Sequence, residues 1–342
     1  MAFLDQNPEI GYPLVAGLGL LVGSFLNVVI LRLPRRMEWQ WKRDSREVLG
    51  EPDLYDPPPP GIVVERSHCP HCGHQLSWYE NIPVLSWLAL RGKCRNCKAP
   101  ISPQYPLVEL LTAVLMVACV WRFGFGWQGF GAGLLTCFLI ALSGIDLRTQ
   151  LLPDSLTLPL MWLGLIAAVE NLYIGPKAAL LGAIAGYVSL WSVWWVFKQV
   201  TGKEGMGHGD FKLLAALGAW IGLQGILPTI LLSSLVGAIV GYLSLWSVWW
   251  VFKQLTGKEG MGHGDFKLLA AMGAWFGLNG ILPTILLSSL VGAIIGSIWL
   301  YAKGRDRATP IPFGPYLAIA GWITFFWGDD LIGAYLRFAG LA

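Results

Sequence analysis

The chain predicts an all-α polytopic membrane protein of about ten spans, interrupted by one small polar insert. Three observations lead there. Apolar residues make up 55% of the 342 and charged residues only 13%, whereas a soluble domain carries about 25% charge. The apolar residues gather in runs of about 20, the length that crosses a bilayer at ~1.5 Å per residue. Eighteen Trp and 42 Gly suit helices that set aromatics at the interfaces and small residues where backbones meet. The net charge of +3 excludes little by itself. No dense basic run with interleaved aromatics exists, so nucleic acid is not expected as a partner.

The first apolar run, 11–31, follows an acidic start with Asp5 and Glu9 and lacks a small-residue cleavage site, so it reads as a retained span over 1–31. It stops at Arg32-Leu-Pro-Arg-Arg, a basic cluster that places this end in the cytoplasm. Residues 32–104 read as a soluble insert holding Pro57–Pro60 and 11 of the 24 Lys/Arg. The remainder, 105–342, reads as the membrane domain, with spans near 105–122, 127–145, 155–173, 178–198, 211–224, 226–253, 266–279, 281–302 and 312–327. Connections near 148, 198–203, 253–258 and 303–307 carry Lys or Arg, and those near 124–128, 175, 224 and 279 carry few. The basic connections then lie inside, and ten crossings leave both termini outside. The runs 211–224 and 266–279 are short for a full crossing and either tilt little, thin the bilayer or stay half-buried.

Within this domain, 186–240 and 241–295 align without a gap at a period of 55, and 49 positions are identical. Repeats so alike read as a recent tandem duplication rather than a solenoid. One unit contributes two crossings and preserves the orientation of everything downstream. The junction fuses 227–240 with 241–253 into an apolar run of more than 25 residues. A tilted, kinked or broken helix is expected there, with Gly237 and Gly241 as the candidate bends.

Four of the six cysteines, Cys69, Cys72, Cys94 and Cys97, form two Cys-x-x-Cys pairs in the insert. That spacing matches a four-thiolate zinc site, whose metal would stand in for a hydrophobic core in so short a polar segment. Redox pairs or free thiols are the other readings, and a cytoplasmic setting disfavours stable disulfides. His68, His71 and His74 offer substitute ligands. Cys119 and Cys137 stand singly in apolar runs as small hydrophobes.

Gly205-Met-Gly-His-Gly-Asp210 recurs letter for letter as Gly260-Met-Gly-His-Gly-Asp265, and Asp146 closes another apolar run. An ionisable group in a membrane is costly, so each acid is a functional candidate. Carboxylates brought together there can share a proton and activate water, as in aspartic proteases. Duller readings stand beside this: Asp210 and Asp265 as helix N-caps, Asp146 paired with Arg148, and Asp154 as the cap of the helix after Pro153. Glu109 either lines the same cavity or sits at headgroup depth.

At these residues the chain resembles the type IV prepilin leader peptidases, over nearly its whole length. The resemblance rests on Gly23-Ser-Phe-Leu-Asn-Val-Val with Arg32-Leu-Pro, the paired Cys-x-x-Cys module and Tyr105-Pro-Leu-Val-Glu-Leu-Leu. It continues through Gly144-Ile-Asp-Leu-Arg, Gly205-Met-Gly-His-Gly-Asp-Phe-Lys-Leu and Pro312-Phe-Gly-Pro-Tyr-Leu-Ala. It implies a bacterial inner-membrane enzyme, its active site and zinc module facing the cytoplasm, that acts on type IV prepilins and type II secretion pseudopilins in the lipid bilayer. Such an enzyme cuts a short basic leader after a glycine and N-methylates the new terminus with S-adenosylmethionine. Carried over, the catalytic pair is Asp146 with the aspartate of the Gly-x-Gly-Asp motif, and the four cysteines hold zinc. The family pattern has one such motif, and this chain has two. Asp210 is preferred, being 64 residues from Asp146 with only two intervening spans, while Asp265 keeps the family-like path to Pro312. A transporter or channel with intramembrane carboxylates is the alternative, although transporter repeats are usually diverged and these acids lie toward one face instead of the midplane.

Overall fold

The computed structural model describes residues 2–51, 56–63, 65–202 and 207–256, with Asp265, 267–273, Ile281, 283–291 and a few single positions beyond. Among the described residues the chain is all-α, apart from two isolated bridges in the insert, His68 with Gln75 and Lys93 with Pro100. The helices are α1 (Ala2–Gln6), α2 (Pro8–Leu49), α3 (Leu85–Ala89), α4 (Gln104–Phe123), α5 (Trp127–Thr149), α6 (Asp154–Val169), α7 (Pro176–Thr201) and α8 (His208–Thr256). Five of them, α2, α4, α5, α7 and α8, are long and apolar enough to cross a membrane, while α6 is a shorter apolar helix. The expected spans from 281 onward lie largely outside the described residues, and the total of about ten spans is not established by these five.

Two compact units make up the chain: Met1–Val193 with Met206–Leu223, and Trp194–Gly205 with Gln224–Ala342. In the first unit, α2 packs on α4 and α5 through Leu26, Val29, Ile30, Val108, Ile140, Ala141 and Ile145. The α2–α4 crossing is tight because a Cβ on Gly19 would lie 2.6 Å from the Ala113 Cα, and one on Gly23 2.7 Å from the Glu109 Cα. A second cluster, Leu142, Leu160, Ala216 and Trp220, joins α5, α6 and α8. Trp220 lies over Gly164 and donates its indole N–H to the Leu160 carbonyl at 2.8 Å.

The first span does not end as a helix at Arg32. Its apolar stretch stops there, but α2 continues across Pro34 to Leu49, where Gly50 in the left-handed conformation (φ 67°) caps it. The extension is held along its length by the linker. Arg32 donates to the carbonyls of Gly61 (2.6 Å) and Glu65 (3.0 Å), Arg36 to Pro59 (3.0 Å) and Trp39 to Asp56 (3.1 Å). Prolines lack an N–H but keep their carbonyls, so a proline run is an all-acceptor strip for such donors.

The expected bends at Gly237 and Gly241 do not occur. Both are helical, and the one break inside α8 is at Gly222 (φ 71°, ψ −179°), a conformation open to glycine and strained for other residues. Gly237 and Gly241 serve close approach instead. In the first unit, Gly182 and Gly186 of α7 meet Gly218 and Leu214 of α8, and a Cβ on Gly186 would lie 2.8 Å from the Leu214 carbonyl carbon. In the second unit, Gly241 meets Leu269, with its Cβ 2.7 Å from the carbonyl oxygen, and Gly273 meets Gly237. Each of these four positions is its counterpart plus 55, so the second copy builds the same crossing as the first.

Overpacking such a contact costs about 1–3 kcal/mol. Gly218→Ala, whose methyl would overlap the Gly182 backbone, is expected to lower the thermal midpoint in detergent. Gly17→Ala, whose Cβ meets nothing within 4 Å, should leave it unchanged or raise it. Equal midpoints for the two variants would show that α7 and α8 do not touch there.

Candidate active site and metal module

Asp146 lies in the last turn of α5 and is partly buried. After it, Gln150 takes the left-handed conformation (φ 54°) and its N–H bonds the Asp146 carbonyl at 2.9 Å, ending the helix. Asp210 lies in the first turn of α8 and is likewise partly buried. Three contacts set α8 down beside the turn that follows α5. Gly209 packs on Leu152 so closely that a Cβ would lie 2.7 Å from the leucine Cβ. Phe211 is fully buried, edge-on to Tyr187 of α7 at 5.9 Å. Lys212 Nζ bonds both oxygens of Asp154 at 2.7 Å. That ion pair is exposed and contributes at most about 1 kcal/mol, but it fixes the register of α8 against α6.

The result sets the first turn of α8, with Asp210, beside the turn that follows Asp146 at the end of α5. Among the described residues neither acid forms an ion pair with a cation. Arg148, the expected partner of Asp146, donates instead to the Gln104 side chain. Asp154 is the first residue of α6 rather than its cap, that position being Pro153. Asp265 belongs to the second unit, where it is buried at 8% exposure. The glycines of its motif lie outside the described residues.

In the insert, the two cysteine pairs form matching knuckles. Cys69 N–H bonds the His74 carbonyl and Cys94 N–H the Ala99 carbonyl, both at 2.8 Å. Gly73 and Lys98 occupy the same left-handed position in the two loops, at φ 69° and 60°. The four sulfurs lie within 4.8 Å of one another, with Cys69 and Cys97 at 3.8 Å and no disulfide. A tetrahedral metal with bonds of about 2.3 Å to sulfur needs edges of about 3.8 Å, so the site fits such an ion. The backbone N–H of His74, ahead of the Asn96 amide, brings the Cys72 thiol down to about 6, and the N–H of Cys97 lowers Cys94. These two favour the thiolates a metal binds, whereas at Cys97 the Ala99 N–H is outweighed by burial and the neighbouring thiols, which push that thiol up to about 11. No histidine joins the cluster. His74 pairs with Glu80 at 3.2 Å, and Glu80 also accepts the Ser77 N–H at 2.8 Å, which holds its carboxyl below the usual range.

Glu109 makes its bonds within the α2–α4 packing and to the insert. It is buried between α2 and α4 and accepts the Val84 N–H at 2.7 Å, with Ser24 also bonded to it. Val84 holds φ 60°, ψ −49°, an uncommon conformation for a β-branched residue. Beside it Asn27, 1% exposed, donates to the Tyr105 carbonyl at 3.1 Å. The Val84 bond fastens the insert to α4 and the Asn27 bond joins α2 to α4, and sequence reasoning missed both. The Lys212–Asp154 pair was missed too, although the recurrence of Asp-Phe-Lys in both copies marks the lysine.

The model of the bacterial peptidase A24 N-terminal domain matches residues 18–123, and that of the type IV leader peptidase family matches 133–242 and again 233–297. The chain is 63% identical over 341 residues to a prepilin leader peptidase/N-methyltransferase of Xanthomonas campestris pv. campestris, covering 100% of both. A protein of the same name from Pseudomonas aeruginosa is 49% identical over 327 residues, 94% of this chain and 92% of that one. The Stutzerimonas stutzeri counterpart is 46% identical over 339 residues, 99% and 98% of the two. No solved structure matches. The chain belongs to the type IV leader peptidase family.

Proposed function

We propose that this chain is a prepilin leader peptidase that hydrolyses one peptide bond with Asp146 and Asp210, and that it N-methylates the product. The observation that carries the hydrolytic reading is the placing of the α8 start, with Asp210, against the turn after Asp146 through the Gly209–Leu152 contact, with neither acid paired to a described cation. With one carboxyl ionised and the other protonated, the pair holds a water between them. The ionised carboxylate takes a proton from that water as its oxygen attacks the scissile carbonyl carbon. The protonated partner gives its proton to the carbonyl oxygen. As the C–N bond breaks, the water-derived proton passes to the departing amine while the partner takes a hydroxyl proton back. Cleavage leaves a free carboxylate on the leader and a free amine on the pilin.

Asp210 rather than Asp265 is assigned to the pair. The first family match, 133–242, holds Asp146 and Asp210 together, whereas the second, 233–297, holds Asp265 without Asp146. Zinc is assigned to the four thiolates on sulfur geometry, as a structural ion outside the hydrolytic step. The methylation is carried to this chain by kinship with proteins named N-methyltransferases, with S-adenosylmethionine as the methyl donor. No glycine-rich loop following a strand exists among the described residues, so no residue is assigned to that step. The basic cluster from Arg32 onward supports an inner-membrane protein with insert and acids on the cytoplasmic side. Prepilins and the pseudopilins of type II secretion are the assigned substrates. The transporter reading is set aside, because the relatives that cover the chain carry peptidase names.

Asp146→Asn should reduce cleavage of a prepilin at least ~100-fold while bound zinc, measured by atomic emission, is unchanged. Residual cleavage above a tenth of wild type would refute the assignment. Asp210→Asn should do the same and Asp265→Asn should retain more than half the rate, whereas equal half-losses would contradict a single active copy. The wild-type rate should be bell-shaped in pH, since both the fully protonated and the fully ionised pair are inert. Cys94→Ser should lower zinc from about one per chain toward zero; retention of a full equivalent would exclude the four-thiolate site.

A further inference from the structure

The insert carries an exposed apolar face of its own. In α3, Leu85 and Leu88 lie one turn apart and stand 64% and 57% exposed. The 3₁₀ turn ahead of it, Trp78–Asn81, adds Trp78 at 78%, edge-on to the exposed Tyr79 at 5.8 Å. Ile82, between the two, is exposed as well. So many large apolar groups within the eleven residues 78–88 mark a surface that meets a partner.

The partner follows from where the face is held. Val84, the residue ahead of α3, donates its N–H to Glu109 at 2.7 Å. Glu109 belongs to α4, whose 20 residues rise about 30 Å, no more than the hydrocarbon core of a bilayer. A helix of that length crosses only with Gln104 at the boundary, which sets Glu109, five residues on, about 7.5 Å within. Helix α2 gives a second mark. Gly23 lies against Glu109, and Arg32 comes nine residues later, about 13.5 Å toward the insert. A helical side chain leans back over the preceding turn, about 5.4 Å, so the Val84 N–H stays on the lipid side of both marks. Non-helical backbone at that depth must find its partner in protein, and the Glu109 carboxylate is that partner. Helix α3 begins one residue later and is only five residues long. It therefore starts at the headgroup–acyl boundary whatever its direction.

The charges agree with this depth. Arg91, Lys93, Arg95 and Lys98 follow α3, all exposed, and Arg95 lies over the Tyr79 ring at 5.4 Å. The one acid between Leu76 and Ile101 is Glu80, buried against His74. Leucine and tryptophan beside exposed cations make up a segment that lies in the plane of a membrane surface.

We infer that residues 78–88 are an interfacial anchor whose partner is lipid. Leu85 and Leu88 enter the acyl boundary of the leaflet on the insert's side, and the four cations meet its anionic headgroups. The cysteine module is then held at the bilayer surface, by the Glu109–Val84 bond and by lipid, and does not stand off in water. The anchor needs α4 to cross the membrane and is independent of the peptidase reading.

The test uses the full-length chain in phosphatidylethanolamine/phosphatidylglycerol vesicles, with photoreactive benzoylphenylalanine in place of Leu88. Illumination should attach phospholipid at position 88, read by mass spectrometry of the labelled peptide. The yield should exceed about tenfold that of the same probe at Val48, which lies on α2 about 24 Å beyond Arg32. A smaller ratio, a chain-to-chain adduct, or transfer of the label from lipid to an added prepilin would overturn the lipid assignment. Leu107, exposed on α4, is the reference for a crossing helix. Absence of label at 107 would overturn the crossing of α4 and the anchor with it, whereas label at 107 without label at 88 removes only the anchor. Leu85→Asp with Leu88→Asp changes only exposed side chains and should leave about one zinc per chain. It should cut the lipid adduct of the probe at Trp78 about fivefold or more, and an undiminished adduct would overturn anchoring by these leucines. Should the double variant lose its zinc, the probe at 88 decides alone.

Discussion

The close approach of two helix backbones, α7 and α8, is the contact on which the placement of Asp210 depends. Hydrocarbon side chains gain little by turning from lipid to one another, so helix association in a membrane rests on packing. Gly182 and Gly186 let α7 lie directly against Gly218 and Leu214 of α8. That contact fixes the axis on which the first turn of α8 projects Gly209 onto Leu152 and carries Asp210 toward Asp146. The crossing at Leu214 and Gly218, four and eight residues along α8, is therefore part of what places Asp210.

The same crossing explains how a 55-residue duplication fits without wrecking the first copy. The inserted segment brings both halves of one contact: Gly237 and Gly241, equivalent to Gly182 and Gly186, and Leu269 and Gly273, equivalent to Leu214 and Gly218. The second copy therefore carries both halves of its own crossing. Side-chain contacts repeat as well, with Lys198 over Trp194 and Lys253 over Trp249, both at 4.8 Å. Gly222, where α8 departs from helical geometry, immediately precedes the residues at which the second unit begins.

What could be read from the chain followed the physics that leaves a one-dimensional trace. Apolar length marked α4 and α5 within a few residues, and Cys-x-x-Cys spacing marked the metal module. Glycine carried no such trace, because one letter serves both a break at Gly222 and close approach at Gly237 and Gly241. Only neighbours in space separate these uses. The extension of α2 was illegible for another reason. Its charged residues resemble a loop until the proline linker folds back and offers Arg32, Arg36 and Trp39 a row of carbonyls. Glu109 was ambiguous because its partner, the Val84 N–H, is a backbone group 25 residues away.

The acids of the first unit then divide by how their charge is answered. Glu109 is answered by the Val84 N–H, Asp154 by Lys212, and Glu80 by His74 and the Ser77 N–H. Each of these bonds joins two segments and has a structural reason to exist. Among the described residues Asp146 has no such partner, and Asp210 has the N–H of Gly207. Acids left without an ion pair in a membrane protein cost stability. In the proposed reading, water polarised between Asp146 and Asp210 is the reason two such helix ends are brought together by a glycine crossing, a buried phenylalanine and an ion pair.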